Sequence, residues 1–135
     1  MGGAVVQLGE VRAVTVFVED LGAAREFYAS VFGGRVVAED EVSTAFEAGP
    51  GVVVNLLQVD QAAELVTPGE VAAPGGSRVL LTVAVADVDA ECARLAELGV
   101  PLRNGPQDRP WGIRTAAFAD PAGHVWELAG PLRTG

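Results

Sequence analysis

Side chains able to do chemistry are few in this sequence, and most of them stand alone. Glu127 lies in the apolar run HVWELAG, Asn55 in the matching run VVVNLLQV, and the lone histidine, His124, is three residues before Glu127. A carboxylate among apolar neighbours is costly unless it is neutral or paired, so Glu127 is a candidate general acid or base, or a seat for an ammonium group. An odd separation along a strand points two side chains to opposite faces, which turns His124 away from Glu127. With no nucleophile, metal or oxyanion donor visible beside it, Glu127 supplies only one part of a mechanism, and ligand recognition is favoured over catalysis. The segment RPWGIR, from Arg109 to Arg114, joins an aromatic, a glycine and two arginines in a loop before a strand. Trp111 either stacks on a flat ligand or anchors that loop. Arg114 either pairs with Glu127 or Asp120 or meets a ligand carboxylate. The phosphate loop GxxxxGK[ST], a GxGxxG turn, CxxC and the His-Glu-x-x-His helix are all absent, which argues against nucleotide-dependent chemistry.

The elements that must position these residues are written twice. FEAGPGVVVNLL, Phe46 to Leu57, returns 72 residues later as FADPAGHVWELA, Phe118 to Ala129, and so aligns Asn55 with Glu127. Ahead of it, VTVFVEDLGAAREFYASVFG (Val14 to Gly33) is echoed by LTVAVADVDAECARLAELG (Leu81 to Gly99). Each unit reads as strand, helix, then strands. The β-branched run Val11 to Val18 is followed by Asp20 as N-cap, and Leu21, Ala24, Phe27, Tyr28 and Val31 make one apolar stripe ending at Gly33. In the second unit Asp87 or Asp89 caps a helix whose stripe is Val88, Cys92, Leu95 and Leu98, stopped by Gly99 and Pro101. Cys92 then lies in a buried seam, and a single cysteine allows no internal disulfide, which points to a reducing compartment. Short strands follow each helix: GRVVAEDE, STAFEAG and VVVNLLQV in the first unit, PLRNG, IRTAAFAD and HVWELAG in the second.

At 135 residues, half of them apolar, the chain suffices for one domain of two modules, residues 8–60 and 78–132. The Ala-, Pro- and Gly-rich segment 61–77 reads as a surface linker with one helical turn near Ala62 to Leu65. No apolar run is long enough to span a membrane and no basic region precedes the N-terminal apolar residues, so a cytoplasmic protein is expected. Nine basic against eighteen acidic side chains give a net charge of −9. That balance disfavours nucleic acid and anionic membranes as partners and suits a cationic ligand, although solubility alone would account for it.

AVTVFVEDLGAAREFYASVFGG at the front and DPAGHVWEL at the back resemble the vicinal oxygen chelate superfamily, which includes glyoxalase I, extradiol dioxygenases, and fosfomycin- and bleomycin-resistance proteins. The likeness runs from about Val11 to Gly130. It implies an α+β fold of two βαβββ modules whose mixed sheets curl into a half-barrel, commonly in a homodimer, with the site in the cup. Fold alone does not carry activity.

Metal-dependent members usually place a His on the first strand of a module, about seven residues before the helix-opening Asp, and a carboxylate on the last strand. Carried onto this sequence, those positions are Ala13, Asn55, Leu80 and Glu127. One carboxylate and one amide fall short of the three ligands that catalytic metal sites generally need, so no metal and no cofactor is expected. Alternation predicts that the cup is lined by Thr15, Phe17, Asn55, Leu57, Leu80, Thr82 and Glu127, with Trp111 and Arg114 at its mouth. Such a lining suits an organic ligand held by shape, or else a cavity closed by its own side chains. The resemblance then implies a metal-independent small-molecule binding protein of the bleomycin-resistance type, possessing a homodimeric cleft that sequesters an antibiotic or other natural product. The alternative is a lyase or isomerase that uses Glu127 as general base or as a residual metal ligand.

Overall fold

The aspartates that open the two helices set the frame of the computed structural model, which describes residues 8–133. Strand β1 (Ala13–Val18) leads to helix α1 (Leu21–Phe32), and the Asp20 carboxylate accepts from the Ala23 N–H. Gly33 ends the helix at φ 63°, a left-handed conformation that favours glycine. Strands β2 (Val36–Glu39), β3 (Ser43–Glu47) and β4 (Val53–Gln58) complete the first unit. A short helix α2 (Ala63–Val66) begins the connection, which then runs without regular structure to β5 (Leu81–Ala84). Asp87, not Asp89, caps helix α3 (Val88–Glu97) by accepting from the Ala90 N–H. Strands β6 (Leu102–Asp108), β7 (Arg114–Ala119) and β8 (Val125–Gly130) close the second unit.

Each unit makes one mixed four-stranded sheet, ordered β1-β4-β3-β2 and β5-β8-β7-β6, with the β1–β4 and β5–β8 pairs parallel. This is the expected α+β arrangement of two βαβββ modules. The sheets share no backbone pairing, so within one chain they do not merge into a continuous half-barrel.

What unites the modules is a common core on their helix-bearing faces. Tyr28 of α1 stacks near Phe46 of β3 and meets Trp126 of β8 edge-on, while Phe27 and Phe32 lie against Phe118 of β7. Val16, Val18, Val54 and Leu56 from one sheet join Ala116, Phe118, Trp126 and Leu128 from the other in the same buried cluster. Arg94 of α3 donates to the carbonyls of Ser30 and Val31 at the end of α1, joining the two helices directly. Because both sheets turn these residues inward, the alternate residues of each sheet face outward, on opposite sides of the molecule.

Several boundaries differ from the pattern. β1 starts two residues later than the β-branched run suggests, at Ala13. Leu98 continues the apolar period of α3 but falls at its C-cap and is exposed, because the chain turns away at Gly99, φ 77°. Strand β6 runs on to Asp108 through Asn104-Gly105-Pro106, where a turn was expected, because two register shifts let it stay paired with β7. No helix among the described residues is long and apolar enough to cross a membrane.

Candidate functional site

The outward face of each sheet is built by alternate positions of its strands. In the first module Thr15 stands opposite Asn55, which stands opposite Ala45, while Phe17, Leu57 and Ser43 form the next row. In the second, Thr82, Glu127, Ala117 and Asn104 form one row, and Ala84, Ala129, Thr115 and Gln107 the next. Of the residues expected in the cup, the structure therefore brings Thr15, Phe17, Asn55 and Leu57 onto one outward face and Thr82 and Glu127 onto the other. Leu57 is buried, Phe17 half-buried and Thr15 exposed. Leu80 precedes β5 and is 51% exposed, so it sits at the edge of the second face without being held in the strand.

Thr82 Oγ1 donates to Glu127 Oε1 at 3.0 Å, fixing the carboxylate on a half-buried face. Its partner is thus the neighbouring strand's hydroxyl and not Arg114. Arg114 belongs to the other face: being in phase with Ala116 and Phe118, it turns toward α3. There it forms a two-pronged pair with Asp89, at 2.9 and 3.1 Å, and a second contact with Asp108 at 3.2 Å. The hydrogen bond from Arg114 holds the Asp89 carboxyl below the usual carboxylate range, although burial opposes it. Arg114 is therefore removed from the cup mouth and fastens α3 to β6 and β7. Its parity with Phe118 was a legible signal for this placement.

Trp111 does lie on the outward side, 66% exposed in the loop between β6 and β7. The Arg109 guanidinium sits over its ring at 5.8 Å from the centroid. Arg109 is a residue of this outward face that sequence reasoning did not single out; its Nε donates to Thr115 Oγ1 at 2.8 Å and its Nη2 to Asn104 Oδ1 at 3.3 Å.

The positions that would carry a metal are Ala13 and Asn55 on one face, and Leu80 and Glu127 on the other. A methyl, an isobutyl, an amide and one carboxylate do not fit a divalent metal, whichever way the two faces are brought together. Among the described residues no cluster of three or more His, Cys, Asp or Glu could hold one.

His124 lies at the turn into β8, outside the strand rows of both faces. Its Nδ1 lies 2.8 Å from Asp120 Oδ2, within a buried network in which Trp126 Nε1 donates to Tyr28 Oη and Tyr28 Oη donates to Asp120 Oδ2 at 2.7 Å. Asp120 also accepts from the backbone N–H groups of Ala122 and His124. Burial pushes the Tyr28 phenol well above its ordinary range, and the Asp120 charge adds to this. For Asp120 burial opposes ionisation, but the bonds from His124 and Tyr28 outweigh it and its pKa is lowered. The hydrogen bond to Asp120 raises that of His124, against burial. The raised His124 value adds stability that is complete below its unfolded value near 6.5 and is lost as pH rises through the folded one. The lowered Asp120 value adds stability that is complete above 3.8 and is lost on acidification through the folded one. Thermal unfolding followed across pH is thus expected to show a maximum between those values, and His124→Gln is expected to flatten its alkaline limb.

Buried Cys92 has its thiol pKa raised by burial and by Asp89, as suits an unreactive core thiol. A groove of about 480 Å³ opens beside β1, walled by Thr15 and Phe17, by the connecting segment 66–79, and by His124 and Val125 at the turn into β8. Its size is that of ordinary small-molecule sites.

With the two outward faces placed, comparison with known proteins is decisive: residues 10–128 match the Glyoxalase/Bleomycin resistance protein/Dioxygenase superfamily. The chain belongs to that superfamily. The chain is similar to the uncharacterized protein Rv0887c of Mycobacterium tuberculosis, 30% identical, matched over 98% of this chain and 86% of that one. Among solved structures, a glyoxalase/bleomycin resistance protein/dioxygenase from Nocardioides is similar at 27% identity and a TM-score of 0.81, covering 97% of this chain and 89% of that one. TnmS3, described as an antibiotic binding protein from Streptomyces sp. CB03234, is similar at 30% identity and a TM-score of 0.71, covering 94% and 99%. The superfamily assignment fixes the scaffold.

Proposed function

We propose that this protein is a metal-independent binding protein that sequesters a small organic molecule, an antibiotic or another natural product, in cups formed between two copies of the chain. The observation that carries this reading is the pair of outward sheet faces, one lined by Thr15, Phe17, Asn55 and Leu57 and the other carrying the Thr82–Glu127 pair. Each face is a half-cup of mixed apolar and polar side chains, with fixed polar points suited to orienting a ligand. Because the helix-side core directs the two faces away from one another, one chain cannot close them over a single ligand. A second copy can, by setting its second-module face against the first-module face of its partner. Exposed Val79 and Leu80 at the rim would be covered in such a pair. Glu127, held by Thr82, supplies the acceptor for an ammonium or hydroxyl group. The likeness to TnmS3 supports this reading, as does the poor fit of the four inherited positions to a metal.

Native mass spectrometry of gently purified protein tests it. A dimer that carries a retained organic mass and takes up no zinc when challenged supports sequestration. A monomer, or stoichiometric uptake of zinc, would count against it. If a retained ligand is found, Glu127→Gln is expected to weaken its binding by about tenfold, the worth of one charge-assisted hydrogen bond. Chemical conversion of that ligand, abolished by Glu127→Gln while binding survives, would favour the lyase or isomerase reading instead.

A further inference from the structure

The second-module face carries a cation that its neighbours orient but do not neutralise. Arg109 is gripped by neutral acceptors only: Thr115 Oγ1, Asn104 Oδ1, and the Gln107 amide, whose oxygen, turned toward the guanidinium, accepts from Nη1 at 3.2 Å and Nη2 at 3.0 Å. Among the described residues Arg109 forms no ion pair, whereas Arg25, Arg35, Arg94 and Arg114 each do. Its sequence neighbour Asp108 is taken by Arg114 on the opposite face. Thr115 itself is fully buried, so the guanidinium is seated on the sheet rather than drifting in solvent. Asn104 and Gln107 are exposed and free to give way to a stronger acceptor.

We propose that Arg109 recognises the carboxylate of a planar organic ligand whose ring lies against Trp111. The inference rests on the binding role proposed above and adds to it a ligand class. A guanidinium locked in place offers a carboxylate a charge-assisted, planar fork at little ordering cost, which a free lysine would not. Trp111, two thirds exposed and already beneath the guanidinium, extends the platform with a flat apolar surface. Thr115, the seat of Arg109, is the diagonal neighbour of Glu127 across β7 and β8. Diagonal positions lie roughly 7–8 Å apart, so the seat of Arg109 and Glu127 are close enough to serve one ligand. The chain as a whole, at a net charge of −9, repels anions. A preference for an anion over its neutral counterpart therefore has a local origin.

The test compares 2-naphthoate with neutral 2-naphthamide, titrated into the full-length protein and its Arg109→Met and Arg109→Lys variants. The readout is the indole N–H resonance of Trp111, one of two tryptophans in the chain. The expected result is saturable movement of the Trp111 signal by both probes, with naphthoate about tenfold tighter. Arg109→Met abolishes that difference, and Arg109→Lys keeps part of it. Equal affinity of the wild-type protein for the two probes overturns the Arg109 inference while leaving the cup intact. So does a preference that persists in Arg109→Met. Failure of both probes to move the Trp111 signal overturns the binding-cup reading itself. Should Arg109→Met fold poorly, the wild-type comparison and Arg109→Lys still decide.

Discussion

Asp120→Ala is expected to cost about 3–5 kcal/mol of unfolding free energy, measured by urea titration at pH 6. The carboxylate is buried and accepts four hydrogen bonds, from the Tyr28 hydroxyl, the His124 ring and two backbone N–H groups of the turn into β8. Removing it leaves all four donors facing a methyl group, and each loses its partner without regaining water. The loss would be a large share of the 5–15 kcal/mol typical of a domain. Asp120→Asn is expected to cost less, because one amide oxygen can still serve the turn. It does not restore the wild type, since the amide N–H₂ would meet the Tyr28 hydroxyl and the His124 ring where an acceptor is needed. The damage should extend to both modules, because the network ties α1 of the first to the β7–β8 turn of the second.

Gly105→Ala is expected to cost about 2–4 kcal/mol and to lower the carboxylate preference of the cup at the same time. Gly105 has φ 81°, and a Cβ there would lie 2.5 Å from the Thr115 carbonyl oxygen and 2.8 Å from Ala116 Cα. Both obstacles are backbone, so no side-chain rotation relieves them. The bulged strand would have to lift from β7, taking Asn104 and Gln107 away from Arg109. Thermal unfolding together with amide hydrogen exchange along β7 checks the prediction: protection lost from Thr115 to Ala117 while α1 keeps its own would localise the defect as described.

Much of the frame was legible because it rests on local rules. Asp20 and Asp87 cap their helices, Gly33 ends the first, and the apolar stripe of α1 faces the core, all from short-range sequence. Parity along the strands likewise put Thr82 and Glu127 on one face and left the other to the helices. Parity would also have sent Arg114 there; treating the RPWGIR segment as a single loop hid the fact that Arg114 already belongs to β7. Arg109 was not legible, because its face depends on two register shifts in β6 that no periodic pattern announces. The Tyr28–Asp120 bond joins residues 92 apart, and neither sequence neighbourhood signals the other. Leu98 shows the converse failure, an apolar period that outlasts its helix.

The outward direction of the two sheet faces has a genetic consequence for the paired assembly proposed above. Each cup there draws Asn55 from one chain and Glu127 from the other, so two defective alleles need not give two defective cups. If one chain carries Asn55→Ala and its partner Glu127→Ala, one cup receives both lesions and the other receives neither. Such a hybrid retains one intact site, and two variants that each fail to bind alone would rescue one another when mixed.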